Sequence, residues 1–279
     1  MDRSGLIART IGEVTSDRTR RDSGRRLESV LPGEELLGER GPCWLGRWEL
    51  EERPLGAADV ALKLASRSHP PGGILLLDLE TTGFAGTPLF LAGLIEVGGG
   101  VTGDRDDDST STPAGGASDG SRGDPRGDER VGPPAPRITQ LFARDYSEEA
   151  AVIEAIASRL ARRPTLVTFN GKSYDLPFLR DRAACSRIAL PEPGDHVDLL
   201  HAARRRWRDV LPDCRLVTVE AHLGGGPRIG DVPGREIPAR YHDAVRRGDP
   251  SGLASVFLHN ALDLVTLARL YVALAGDEA

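Results

Sequence analysis

Asp78 and Glu80 stand one leucine apart at the end of an aliphatic run, Ile74-Leu75-Leu76-Leu77. Four aliphatics in a row read as a buried strand. Side chains alternate faces along a strand, so the two carboxylates point the same way. Held together at the rim of a hydrophobic sheet they repel, and one takes up a proton unless a cation lies between them. Hard oxygen ligands so placed suit Mg²⁺ or Mn²⁺. Taken alone, the pair reads equally well as two acids that end the strand in water.

Three more residues extend the pattern. Asp175, in Asn170-Gly171-Lys172-Ser173-Tyr174-Asp175-Leu176-Pro177, sits near the start of a short helix, where it is either a cap or a ligand. Asp263 lies among Leu258, Leu262, Val265 and Leu267 in a largely buried helix. A lone acid there is costly unless it is paired or bound to metal. His259 is one turn earlier on the same helix face. Asp78, Glu80, Asp175 and Asp263 together offer four negative charges to two divalent ions. Such a pair, about 3.5–4 Å apart, stabilises the attacking water and the departing oxygen of a phosphodiester. His259 is then the candidate general base.

The elements that would position these residues follow from periodicity. Residues 1–41 are polar and poorly periodic, and read as a loosely ordered arm; residues 42–73 read as an extension whose Trp44–Leu50 segment alternates like an edge strand. The core domain, 74–275, opens at the Ile74 strand, and Leu89–Val97 pairs with it as a hairpin. Gly98 to Arg137 carries eight acids and five arginines with almost no apolar residue, and reads as a disordered insertion. Ile138–Phe142 resumes as a third strand. A helix with Val152, Ile153, Ile156 and Leu160 on one face follows the Asp145/Glu148 pair. Leu166–Phe169 is a fourth strand and Val197–Leu200 a fifth. Helical segments follow around Arg204–Arg208, over Leu216–Leu223 and from about Leu253 to Leu274. This order gives an α/β fold, a mixed five-stranded sheet flanked by helices.

These residues resemble the DEDD superfamily of 3′–5′ exonucleases, whose fold is ribonuclease H-like. "DLETTG" matches that superfamily's first motif, "NGKSYDLPFL" its second and "HNALD" its third. More narrowly, the chain is similar to the YprB-type ribonuclease H-like proteins, a similarity that extends to "FARDYSEEAAVIEAI" and "GDVPGREIPARYHDAVRRGD". The resemblance implies a 3′–5′ exonuclease with Asp78, Glu80, Asp175 and Asp263 as metal ligands. It implies substrate contacts at Thr81, Thr82 and Phe84, with Asn170 and Lys172 as further candidates or as a plain Asn-Gly turn and an exposed lysine. The expected partner is nucleic acid, DNA or RNA, at a single-stranded 3′ end. The chain departs from the pattern in two places. Three residues separate His259 from Asp263, the spacing of the superfamily's tyrosine class with the residue of its histidine class. The loop after Gly83 is also shorter than in the YprB type. Two alternatives stand beside the exonuclease: a structure-selective endonuclease on the same fold, and a catalytically inactive nucleic-acid-binding module.

The bulk composition agrees with a water-soluble α/β protein. The 279 residues are 39% hydrophobic and 28% charged, with a formal net charge of −6. About half of that excess lies between Gly98 and Arg137, while arginines cluster at Arg204, Arg205, Arg206 and Arg208. No apolar run approaches a membrane span. Cys43, Cys185 and Cys214 are odd in number and widely spaced, which fits a reducing cytoplasm; no membrane association is expected, for want of a long apolar run.

Overall fold

The computed structural model describes residues 27–50, 57–84, 86–98 and 136–275. Most of the expected arm and of the glycine- and aspartate-rich insertion lie outside these residues. Seven strands form one mixed sheet: β1 (Gly33–Gly38), β2 (Gly41–Glu49), β3 (Ile74–Thr81), β4 (Leu89–Val97), β5 (Arg137–Phe142), β6 (Thr165–Thr168) and β7 (Asp195–Asp198). Their spatial order is β1-β2-β5-β4-β3-β6-β7. β3 pairs antiparallel with β4 and parallel with β6, so it lies where the meander meets the αβ units.

β3 is apolar on both faces because both are covered. Leu75, Leu77 and Leu79 pack with α2 (Glu149–Arg162) and α3 (Asp175–Cys185). Ile74 and Leu76 pack on the other face with α1 (Ala58–Ser66) and the terminal helix α7 (Ala254–Ala275). Between α3 and α7 lie α4 (Leu199–Trp207), α5 (Leu216–His222) and α6 (Ile237–Arg247). Contrary to the expectation that no apolar run approaches a membrane span, helix α7 is long and apolar enough to cross one, yet two-thirds of that stretch is buried against the protein, as in a core helix. Tyr241 of α6 stacks on Phe90 at 4.1 Å and meets Phe142 edge-on, and Phe142 in turn meets Phe257. The Tyr241 ring anchors the chain between α5 and α7.

Three expectations need correction. The sheet has seven strands rather than five, because residues 33–49 form a hairpin that joins it at β5. The segment expected as an edge strand is therefore internal, and Leu27 and Leu31, expected in a loose arm, are fully buried. Sequence periodicity misses β1 because its Glu34 and Glu35 face solvent at the true edge. The last strand ends at Asp198 rather than Leu200, since the Asp198 carboxylate accepts the Leu200 N–H (3.1 Å) and starts α4.

Candidate active site

Alternation along β3 decides where its acids face. Asp78 and Glu80 continue the row of Ile74 and Leu76, which is the α7 side. Pairing with β4 shifts register between Glu80 and Thr81, a bulge that re-aims the chain just past the acids. Across β4, the residue paired with Asp78 is Gly93, and a Cβ there would overlap Asn260 Oδ1 and lie 2.6 Å from Leu264 Cδ1. The missing side chain lets Asn260 of α7 reach across the sheet. Its amide donates to Asp78 Oδ2 (2.8 Å), while its oxygen accepts from Gln140 (2.8 Å). Gln140 in turn accepts from the Trp48 indole (2.6 Å). A buried polar chain thus fixes Asp78 from β2 through β5 and α7.

Asp175 is the first residue of α3 and is buried. The backbone N–H groups of Asp175 itself and of Leu79 favour its ionised form, which sets it beside β3. Burial, with the added charge of Asp198 and against those backbone N–H groups, pushes its pKa up to about 7. The Asp78 carboxyl is pushed well above the ordinary range by burial, then by the charges of Asp263, Glu80 and Asp175, against the Asn260 bond. Glu80 is raised by burial, then by Asp263, Asp175 and Asp231. Acids from β3, α3 and α7 therefore share one electrostatic field.

On α7, His259 and Asp263 lie one turn apart, with Nε2 3.4 Å from Asp263 Oδ2. The other ring nitrogen, Nδ1, is 2.7 Å from Asp231 Oδ1, so a fifth acid belongs to the site. An ionised carboxylate only accepts, which puts the proton on Nδ1 and leaves Nε2 to face the acids. Arg228 joins the same loop to α7: it meets Asp263 Oδ1 at 2.6 Å, Glu220 at 2.6 Å and Asp231 at 3.4 Å. His259, Asp231 and Arg228 line an open cavity of about 680 Å³. Sequence reasoning missed Asp231, Arg228 and Asn260. Only the unassigned Gly-Asp-Val-Pro stretch hinted at the first.

A family model described as the RNase_H superfamily matches residues 132–275. The chain belongs to the RNase_H superfamily. The match spans Asp175, His259 and Asp263 and begins after Asp78 and Glu80. The chain is also similar to an uncharacterised protein, YprB of Bacillus subtilis (strain 168), at 37% identity over 110 residues. That stretch is 39% of this chain and 27% of the relative, so the likeness spans about a quarter of YprB. RNase H-like proteins usually hydrolyse nucleic acids and typically use divalent metal ions.

Do the residues of this RNase_H superfamily member fit such ions? Among the described residues, no three His, Cys, Asp or Glu side chains form a group preset to hold one. Like charges keep carboxylates apart until a cation draws them in. The donor chemistry does fit, since every candidate is a hard oxygen. Glu80, half-buried, has no hydrogen-bond or ion-pair partner among the described residues, and its carboxyl is pushed up by burial and then by neighbouring acids. Such uncompensated charge is what a divalent cation neutralises.

The expected substrate contacts divide. Thr81 is buried and its hydroxyl is taken up by Gly83 O (2.6 Å) and Tyr174 Oη (3.2 Å), so it supports the loop rather than facing a ligand. Thr82 is half-buried, with its hydroxyl on Pro88 O (3.2 Å). Phe84 is 85% exposed. Asn170 adopts a left-handed backbone (φ 67°) in its Asn-Gly turn, and both it and Lys172 are exposed. Asp198 accepts the backbone N–H groups of both (2.8 and 3.1 Å), a structural task.

Proposed function

We propose that this chain is a metal-dependent nuclease of the DEDD type that hydrolyses nucleic acid from the 3′ end. One observation supports it above the rest. The Asp78 and Glu80 carboxyls, raised first by burial, are raised further by the charges of Asp263 and Asp175, which come from two other elements. In this reading Asp78, Glu80, Asp175 and Asp263 hold two divalent cations, Mg²⁺ or Mn²⁺. When bound, these ions neutralise the charge on the attacking and leaving oxygens of an in-line displacement.

The chain's own groups do the rest. Asp231 holds His259 by Nδ1 and so presents Nε2 to take the proton of the attacking water. Asn260 keeps Asp78 in one rotamer. Phe84 stacks on the terminal base, a contact every base can make. Thr82, Asn170 and Lys172 lie on the substrate side, where Lys172 meets a phosphate. The location we propose is cytoplasmic: Cys43, Cys185 and Cys214 are free thiols, as a reducing compartment keeps them.

The experiment uses 5′-labelled DNA and RNA strands with free or blocked 3′ ends, in Mn²⁺ or Mg²⁺. A ladder of single-nucleotide losses that stops at a blocked end is expected. Internal fragments from blocked strands would make the protein an endonuclease instead. Asp78→Ala should still bind the strand while losing turnover. If the wild type binds but never cleaves, it is an inactive binding module, in which the hold of Arg228 on Asp263 neutralises the site.

A further inference from the structure

We infer that the cavity beside α4 is a phosphate track, which grips the backbone of a single-stranded substrate a few nucleotides away from the acids. The inference deepens the nuclease reading and rests on it for the direction in which the strand runs. The cavity, about 700 Å³, is lined by Lys172, His201, Arg204, Arg205 and Arg208. Four permanent cations thus face a single lining carboxylate, Asp213. That acid is already engaged, accepting from Thr218 Oγ1 (2.6 Å) and the Arg215 N–H (3.0 Å). The side chains of Arg204 and Arg205 have no ion-pair partner among the described residues. Among the described residues, Arg208 meets only its exposed neighbour Asp209, at 3.6 Å.

The plainer account makes these arginines a solvated helix end that complements the helix dipole. That account asks for one or two cations in the last turn of α4. It does not ask for Arg204 and Arg208 one turn apart on the same face, where like charges repel. Nor does it bring Lys172, from a different element, to the same cavity.

Geometry ties the cavity to the acids. Lys172, which lines the cavity, lies in the loop that ends at Asp175, three residues before that acid. The Asp198 carboxylate binds the backbone N–H groups of Asn170 and Lys172 and also caps α4. The loop that carries Lys172 and the helix that carries the arginines are thereby fastened to one buried residue. In a molecule whose net charge is −6, a cleft of this sign draws a polyanion to one face. A strand threaded past Lys172 would leave its end among the acids and its backbone on the arginines.

The test measures binding of 5′-fluorescent oligonucleotides of increasing length to the full chain by anisotropy. EDTA is present so that nothing turns over, and the salt concentration is varied. The variant carries Arg204→Gln and Arg205→Gln, both at exposed positions, with circular dichroism as the check on folding. For the wild type, affinity should rise with length beyond the few nucleotides that the acid pocket spans. In the variant that gain should largely vanish, affinity should drop on the order of tenfold, and the salt slope should flatten by about 1.4, two contacts at ~0.7 each. An unchanged slope and length dependence would overturn the track, as would equal competition by polyglutamate, which would assign the cavity to acidic protein. Hydrolysis of thymidine 5′-p-nitrophenyl phosphate by the wild type with Mn²⁺ reports on the nuclease reading separately. If the ester is cleaved while the slopes match, the track alone falls. If the slopes differ and the ester is untouched, the track stands as a binding surface and the nuclease reading fails.

Discussion

With its carboxyl pushed up to about 7 by burial, Asp175 exchanges its proton near neutrality, and that fixes the sign of a metal effect. In the unfolded chain the same group ionises near its ordinary value of about 3.9. The folded state therefore binds the extra proton between those values. Stability contributed by the protonated group is present at low pH and lost as pH rises through about 7. Asp78 and Glu80, raised in the same direction, add to the trend. Divalent ions bind the ionised form and displace those protons. Mn²⁺ should thus raise the melting temperature strongly at pH 8 and little at pH 5, read by differential scanning fluorimetry against EDTA. Equal shifts at both pH values would contradict the arrangement. His259 gives a second residue-scale expectation. Asp231→Asn keeps the size of the side chain but frees the ring to change tautomer, and kcat should fall about 10–100-fold with KM little changed. A KM effect alone would make Asp231 a fold residue. The sequence shows His259 one turn from Asp263, yet gives no sign that Asp231, 28 residues away in an irregular loop, would hold its far side.

Elements carry the site because a helix and a strand meet without a side chain between them. Gly93 sits between Asp78 and Gln140 in the register of the central strands, and Asn260 fills the space a Cβ would take. Gly93→Ala should destabilise by about 1–3 kcal/mol, as overpacking of a filled core does. It should also push Asn260 off Asp78 and lower activity at temperatures where the protein is still folded. A variant with wild-type melting temperature and rate would show that α7 can move away freely. The strands of the central sheet, α2 and α7 were legible because their apolar periods are long and uninterrupted. Helix α6 was not read, although Pro238 suits its first turn and Gly248, left-handed at φ 64°, stops it. Its Ile237 and Tyr241 are too few apolar residues in a charged stretch to stand out. The partnership of Gly93 with Asn260 lies across 167 residues, and no local pattern announces it.

At the scale of the whole molecule, the hairpin β1–β2 and the turn before it decide whether the RNase H-like core stands alone. A domain beginning at residue 74 is what the sequence suggests, because the acids and the longest apolar strand start there. The packing argues otherwise. Leu27, Leu31, Trp44, Leu45 and Leu50 are at most 6% exposed, and the first four join the cluster that also holds Leu77, Leu141 and Phe142. At roughly 1.5–3 kcal/mol for each buried side chain, their removal forfeits on the order of 10 kcal/mol, even allowing for the compactness of unfolded chains. That is as large as the net stability of a typical domain. Truncation to residues 57–279 would also strip β5 of its partner and expose its edge to pairing between molecules. The truncated chain should elute as aggregate on size-exclusion chromatography and show no cooperative melt, whereas the full chain should give a monodisperse peak and a sharp transition. A folded, metal-stabilised 57–279 fragment would mean that the five inner strands suffice, and that the hairpin is an addition to a self-sufficient core.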